Sequence, residues 1–195
     1  MPRPDSEVLV AAALEILADR EPEKFIVDLG TGTGCLLLSI LHHHSKATGV
    51  GIDISEKALD MAKANAESLN LGTRARFEIG NFVQKDRFTT IMAKADLIVC
   101  NPPYIATDEI PLLDPEVCQY DPYQAIDGGI DGLACYRALF PEVKACLKPE
   151  GRAIFEIGYR QSGAVAGLAE RYNLRVYRMA YDLSGHKRAV ILGQP

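Results

Sequence analysis

The chain reads as an α/β protein: a mostly parallel, Rossmann-like sheet that ends in an antiparallel terminal hairpin. Three observations lead there. Short apolar runs alternate with segments of helical spacing, the pattern of βα units joined in one parallel sheet. The first such run stops at a glycine-rich loop that leads directly into a helical segment. The last two runs are separated only by Asp182-Leu183-Ser184-Gly185-His186, too few residues for a parallel crossover.

Asp5 and Ser6 are suited to cap a helix from about Glu7 to Ala18, with Pro22 beyond its end. Phe25 to Leu29 is the first strand, and Cys35 to Leu41 a helix leaving the glycine turn. Thr48 to Ile52 is the second strand, ending at Asp53. Ser55 then caps a helix from about Glu56 to Leu69, with Ala58, Leu59, Ala62, Ala66 and Leu69 on one face. Arg76 to Ile79 and Asp96 to Cys100 are the third and fourth strands, the latter apolar enough to be buried on both faces. Ile105 to Ile130 lacks periodicity and is punctuated by proline, glycine and aspartate, as in a functional or disordered loop. A helix from about Gly132 to Leu147, bent near Pro141, leads to a strand Ala153 to Ile157 and a helix Ser162 to Tyr172. Leu174 to Tyr181 and Ala189 to Leu192 form the antiparallel pair, expected at the sheet edge.

The length of 195 residues and 48% hydrophobic content predict one domain with one sizeable core over residues 1–195. A net charge of -5 disfavours a phosphate backbone as the main partner, because no global positive field exists to release its counterions. Five cysteines without CxxC spacing suit buried thiols in a reducing compartment rather than zinc or a disulfide framework. With no signal-peptide pattern and no uninterrupted membrane-length apolar stretch, the expected location is the cytoplasm, with no membrane partner.

The loop Asp28-Leu29-Gly30-Thr31-Gly32-Thr33-Gly34 has the layout of a nucleotide-cofactor site, in which glycines let a ligand approach backbone N–H groups. Its GxGxG spacing suits a dinucleotide pyrophosphate poorly. S-adenosylmethionine has no pyrophosphate. Its cationic amino-acid end matches Asp28, and its two ribose hydroxyls match the two acceptor oxygens of Asp53, with Ile54 adjoining. Asn81 and Phe82, after the third strand, offer a polar group and a ring for the adenine, although Phe82 equally suits a core position.

Asn101-Pro102-Pro103-Tyr104 follows the buried fourth strand, at the carboxyl edge where doubly wound sheets bind ligands. The lone pair of an amide or aromatic-amine nitrogen is delocalised, so methylation requires the nitrogen to become more tetrahedral. The Asn101 side-chain oxygen and the Pro102 carbonyl can accept its two hydrogens, Pro102 and Pro103 stiffen the segment, and Tyr104 offers a stacking face.

With these segments, the chain resembles the protein-(glutamine-N5) methyltransferases of the HemK/PrmC type, the release factor glutamine methyltransferases. The resemblance also rests on Arg3-Pro4-Asp5-Ser6-Glu7, Gly128-Gly129-Ile130-Asp131-Gly132-Leu133, Glu156-Ile157-Gly158-Tyr159-Arg160-Gln161 and Asp182-Leu183-Ser184-Gly185. It implies a class I S-adenosylmethionine methyltransferase with a seven-stranded sheet. It implies cofactor contacts from Asp28, Gly30, Thr31, Gly32, Gly34, Asp53, Ile54, Asn81, Phe82 and Asn101, with S-adenosylhomocysteine as product. Asn101 to Tyr104 would hold the target glutamine of a Gly-Gly-Gln motif in a peptide chain release factor; Arg3 fits either a further substrate contact or a surface salt bridge. Members usually carry aspartate where Asn81 stands, and they carry an N-terminal helical substrate-binding domain that is expected to be absent here.

Asn-Pro-Pro-Tyr also fits adenine or guanine methylation in DNA or ribosomal RNA, and the same fold can serve as an inactive cofactor sensor. His42-His43-His44 is not read as a metal site, because consecutive helical residues point in different directions. His186, with no carboxylate partner evident in the sequence, receives no chemistry. The acidic residues Asp108, Glu109, Asp114 and Glu116 fit either a substrate lid or a solvated loop.

Overall fold

A computed structural model describes residues 7–18, 23–81, 95–113 and 122–195. Its elements, in chain order, are α1 (Glu7–Ala18), β1 (Phe25–Leu29), α2 (Cys35–His43), β2 (Thr48–Asp53), α3 (Glu56–Ser68), β3 (Ala75–Ile79) and β4 (Ala95–Cys100), then a 3-10 turn at Ile110–Leu112. They continue with α4 (Tyr123–Ile126), α5 (Ala134–Cys146), β5 (Leu147–Glu156), α6 (Ser162–Arg171), β6 (Arg175–Tyr181) and β7 (Lys187–Gly193). The seven strands form one sheet in the order β3-β2-β1-β4-β5-β7-β6. Pairing is parallel from β3 to β5 and antiparallel at β5–β7 and β7–β6.

Helices cover both faces of the sheet, so its central strands read as continuous apolar runs: every residue of β4 is buried. One cluster packs α5 and α6 onto one face, with Tyr136, Leu139, Phe140 and Phe155 at its centre. The other packs α1 and α2 onto the opposite face through Leu9, Leu17, Leu37, Ile40 and Leu41. Alternation along the strands sorts residues between the two: Val27 and Leu29 face the first cluster and Ile26 the second.

Local chemistry sets the ends of the helices. The Ser55 hydroxyl accepts from the Ala58 N–H at 3.3 Å and caps α3. The Arg74 guanidinium donates to the carbonyls of Leu41, His44 and Ala47, which satisfies groups at the carboxyl end of α2. At the other end of the sheet from the glycine loop, Asp96 accepts from Lys148 at 2.7 Å and from the Phe25 N–H at 3.0 Å, tying the starts of β1, β4 and β5 together.

Several boundaries differ from those the sequence predicts. α2 runs to His43, because His42 and His43 extend the helix as its exposed last turn. Leu69 lies just past the end of α3 and is 47% exposed, so it does not join the buried face formed by Leu59, Ala62 and Ala66. α5 begins at Ala134 rather than Gly132, whose φ of 69° is not helical. β5 starts at Leu147, six residues earlier than expected; Leu147 pairs with Ala95 across a register shift that absorbs the Lys148-Pro149-Glu150 segment. The terminal hairpin is antiparallel as expected. It ends the sheet, with β6 as the edge strand and β7 between β5 and β6, its last five residues buried. Inside the aperiodic segment, Tyr123–Ile126 forms one helical turn and Ile105 bridges to Asp127. Asp5, Ser6, Pro22, Asp114, Glu116 and Cys118 lie outside the described residues.

Candidate active site

The strand order reverses between β1 and β4, and ligands of doubly wound sheets bind at the carboxyl ends of the strands at such a point. Register fixes what emerges there. Leu29 pairs with Ile52 on one side and Cys100 on the other, so Gly30, Asp53 and Asn101 leave the sheet side by side. Asp53 pairs with Ile79, which puts Gly80 and Asn81 next in the row, and Cys100 pairs with Phe155, which puts Glu156 beyond Asn101.

The glycine loop is pinned to β2. Gly30 and Thr31 both donate their N–H groups to the Ile52 carbonyl, at 2.8 and 3.0 Å. Gly30, Gly32 and Gly34 have φ of 72°, 56° and 81°, a left-handed sequence that residues with a Cβ resist. Asn65 of α3 donates to the Thr33 carbonyl at 2.9 Å and braces the loop from outside. Thr31 is buried, and its hydroxyl donates to Asp28 Oδ2 at 2.7 Å; that same oxygen accepts from the Leu37 N–H at 3.3 Å. Asp28 thus takes up a free donor in the first turn of α2, where the N-cap, Gly34, has no side chain to do so.

Asp28 is fully buried, and its Oδ1 has no hydrogen-bond partner among the described residues. Burial pushes its pKa from 3.8 up to about 6. The Thr31 and Leu37 hydrogen bonds oppose that rise, and the charge of Asp53 adds to it. Asp53 accepts the Gly32 N–H at Oδ2, 2.8 Å, and the Ser55 N–H at Oδ1, 2.9 Å, leaving each oxygen with a further lone pair. A Cβ built on Gly32 would meet nothing within 4 Å, so the loop faces open space there. Ile54, 53% exposed, and the half-buried Asn81 flank Asp53. An orphaned buried carboxylate oxygen, an open glycine and a carboxylate with spare acceptors fit a ligand with an ammonium group at one end and two vicinal hydroxyls at the other.

Beyond β4, Asn101, Pro103 and Tyr104 are half-buried and Pro102 is buried. The next residues pair with the Gly128 region: Ile105 donates to the Ile126 carbonyl, Gly128 to the Ile105 carbonyl and Thr107 to the Gly129 carbonyl, at 2.8 to 3.1 Å. The Tyr104 hydroxyl donates to Glu156 Oε1 at 3.2 Å, and Gln161 Nε2 donates to the Tyr104 carbonyl at 2.8 Å. The structure therefore gathers Asp28, the glycine loop, Asp53, Asn81 and Asn101 to Tyr104 at one sheet edge. Arg3 and Phe82 lie outside the described residues.

Glu156 and Gln161 received no role from the sequence. Their signal was the Glu-Ile-Gly-x-x-Gln spacing at the end of a strand, but their target is more than fifty residues away in the chain. His186 has a carboxylate partner after all: its Nδ1 lies 3.6 Å from Asp182 Oδ2, an oxygen that also accepts from Arg188, and Asp182 Oδ1 accepts the Ser184 and His186 N–H groups. That cluster shapes the β6–β7 turn. Among the described residues no group of acidic, histidine or cysteine side chains could hold a metal, Cys35, Cys100, Cys135 and Cys146 are free thiols, and no helix is long and apolar enough to cross a membrane.

A seven-stranded sheet of this order, with a glycine loop and an acid at the ends of β1 and β2, defines the class I methyltransferase fold. The methyltransferase domain family model matches residues 21–172. The release factor glutamine methyltransferase of Rhodospirillum rubrum is 44% identical over 190 residues, covering 97% of this chain and 56% of that protein. The release factor glutamine methyltransferase of Thermosynechococcus vestitus is 34% identical over 198 residues, covering all of this chain and 67% of that protein. The structure of a ribosomal protein L11 methylase from Lactobacillus delbrueckii subsp. bulgaricus superimposes with a TM-score of 0.68 at 18% identity, over 100% of this chain and 80% of that one, and supports the fold alone. The chain belongs to the release factor glutamine methyltransferase family. It spans between about half and two thirds of the length of these relatives.

Proposed function

We propose that this chain transfers a methyl group from S-adenosylmethionine to the side-chain amide nitrogen of a glutamine, within the Gly-Gly-Gln motif of a peptide chain release factor. The observation that carries the reading is the side-by-side emergence of the glycine loop and Asn101, one residue beyond the paired Leu29 and Cys100. The relatives, both release factor glutamine methyltransferases, support the substrate. The cofactor supplies an electrophilic methyl on a sulfonium sulfur. Asp28 Oδ1 would hold the ammonium of its amino-acid end, Asp53 would accept the ribose hydroxyls through its spare lone pairs, and Ile54 and Asn81 would flank the base.

On the substrate side, the Asn101 carboxamide oxygen and the Pro102 carbonyl accept the two hydrogens of the target amide. Both acceptors favour a nitrogen whose lone pair is withdrawn from the amide π system, which is the electron distribution of the transition state rather than the ground state. Tyr104 gives the planar amide a face to lie against. No side chain has to remove a proton before transfer: the nitrogen becomes acidic only as the methyl arrives, and it then releases one proton to solvent, with S-adenosylhomocysteine as the leaving group.

The reading is tested by incubating the protein with tritiated S-adenosylmethionine and a purified unmodified release factor, the same factor with its Gly-Gly-Gln glutamine replaced, DNA, and ribosomal RNA. Label in the first alone is expected. Label in either nucleic acid but not in the factor would overturn the substrate and leave the cofactor site standing.

A further inference from the structure

Two segments, Gly128 to Leu133 and Glu156 to Gln161, carry no role in the chemistry above, yet the structure brings both against Tyr104. The Gln161 carboxamide joins three segments: Nε2 donates to the Tyr104 carbonyl at 2.8 Å and the Gly132 carbonyl at 3.3 Å, while Oε1 accepts the Gly158 N–H at 3.0 Å. Glycines make that approach possible. A Cβ on Gly132 would lie 2.4 Å from the Tyr104 carbonyl oxygen and 2.5 Å from Gln161 Nε2. One on Gly128 would lie 2.9 Å from the Tyr104 backbone, and one on Gly158 2.9 Å from Gln161 Oε1. At the other end of the same residue, the Tyr104 hydroxyl donates to Glu156 Oε1. Glu156 is itself fixed: it is 2% exposed, it ends β5, and its carbonyl accepts from the buried Tyr136 hydroxyl at 2.7 Å.

Tyr104 is therefore held at its backbone by Gln161 and at its phenol by Glu156, from one six-residue stretch. We infer that Gln161 and Glu156 are positioning residues for amide methylation, a two-point clamp on Tyr104 that sets its ring plane and the placement of Asn101 and Pro102 against the target amide. The inference rests on the function proposed above. A carboxamide suits the Gln161 position because it offers donors to two carbonyls and an acceptor to an N–H at once; a carboxylate would turn an acceptor toward both carbonyls. Misplacing a reacting group by about 1 Å can lower a rate by about 100-fold, so loosening the clamp acts on transfer rather than on cofactor binding.

The test is single-turnover methyl transfer to the release factor, with cofactor affinity by calorimetry and the thermal midpoint for each variant. Gln161→Glu and Glu156→Leu are each expected to slow transfer by about 10- to 100-fold with cofactor affinity changed less than about twofold. Glu156→Gln, which keeps an acceptor for the phenol, is expected to recover transfer to within about threefold of the unmodified protein. In a Tyr104→Phe background, Glu156→Leu is expected to cost at least about threefold less than in the unmodified protein, because its hydrogen bond from the Tyr104 hydroxyl is already gone. The same loss in both backgrounds, or a parallel fall in cofactor affinity, would overturn the clamp. Should Gln161→Glu fail to fold, the Glu156 and Tyr104 cycle still decides. An unmodified protein that binds cofactor but methylates nothing would overturn the proposed function and the clamp's role with it; full activity there with additive losses overturns the clamp alone.

Discussion

Asp28 occupies two roles that pull against each other. Its Oδ2 serves the fold, through Thr31 and the first turn of α2, whereas its buried Oδ1 has no partner among the described residues and is the oxygen proposed to hold the cofactor's ammonium. A carboxyl whose folded pKa is about 6 against 3.8 binds more protons folded than unfolded between those values, so its ionisation costs the cofactor-free fold stability as pH rises through that window. Two units correspond to about 3 kcal/mol, fully present above pH 6 and absent below 3.8. Asp28→Asn keeps an acceptor oxygen for Thr31 and Leu37. It is expected to raise the urea midpoint of the cofactor-free protein at pH 7.5, with a gain that shrinks as pH falls toward 4, while weakening cofactor binding at neutral pH. A pH-independent difference in midpoint would refute the assignment.

Asp53 and Asn101 divide the work differently. Removing the Asp53 carboxylate is expected to weaken cofactor binding in calorimetric titration. Asn101→Ala is expected to lower the single-turnover rate by about 100-fold, the scale of one oriented polar group at a transition state, with little change in cofactor affinity. Equal losses of rate and cofactor affinity at Asn101 would contradict its role.

Among the elements, glycines mark where loops touch. Gly51 lies in the middle of β2, and a Cβ there would stand 2.6 Å from Thr31 Oγ1 and 2.8 Å from Phe77. Gly51→Ala is therefore expected to push Thr31 off Asp28 and weaken cofactor binding from beneath the glycine loop, measurable by calorimetry. Gly132→Ala meets both a φ of 69° and the Tyr104 carbonyl. It is expected to slow transfer more than it weakens cofactor binding.

This scale also shows what the sequence could and could not reveal. The strand, the glycine turn, the acid on the second strand and the segment from Asn101 to Tyr104 are local patterns, each legible because the chemistry lies within a few residues. The Tyr104 clamp joins residues 52 and 57 positions apart, so no local pattern carries it. The early start of β5 is not legible locally, because Pro149 and Gly151 disfavour a strand and the pairing of Leu147 depends on Ala95, 52 residues away. The carboxylate partner of His186 was hidden for a smaller reason: Asp182 lies only four residues away, but the turn that folds it back depends on Asp182 itself accepting the Ser184 and His186 N–H groups.

Across the whole molecule, a single sheet couples stability to the site. The β4–β5 pair carries Asn101 and Glu156 at its carboxyl end, and at its other end Asp96 is bound by Lys148. Phe155, fully buried between these groups, packs against Phe140 with ring centroids 5.2 Å apart. Phe155→Ala is expected to cost about 3–5 kcal/mol of unfolding free energy by urea titration, because removing a large ring leaves a cavity that the surrounding sheet cannot close. A cost below about 1 kcal/mol would mean that β5 is not part of the common core.

The central claim, that the site aims a methyl group at an amide nitrogen, is tested most directly by fragment mass spectrometry of a release factor after reaction with the protein and S-adenosylmethionine. The account predicts one added methyl on the side-chain nitrogen of the Gly-Gly-Gln glutamine, formed about 100-fold more slowly when Asn101 is replaced by alanine. A methyl on a lysine, on a carboxylate or on the amino terminus instead would contradict it, because the acceptors at Asn101 and Pro102 would then have no amide hydrogens to hold.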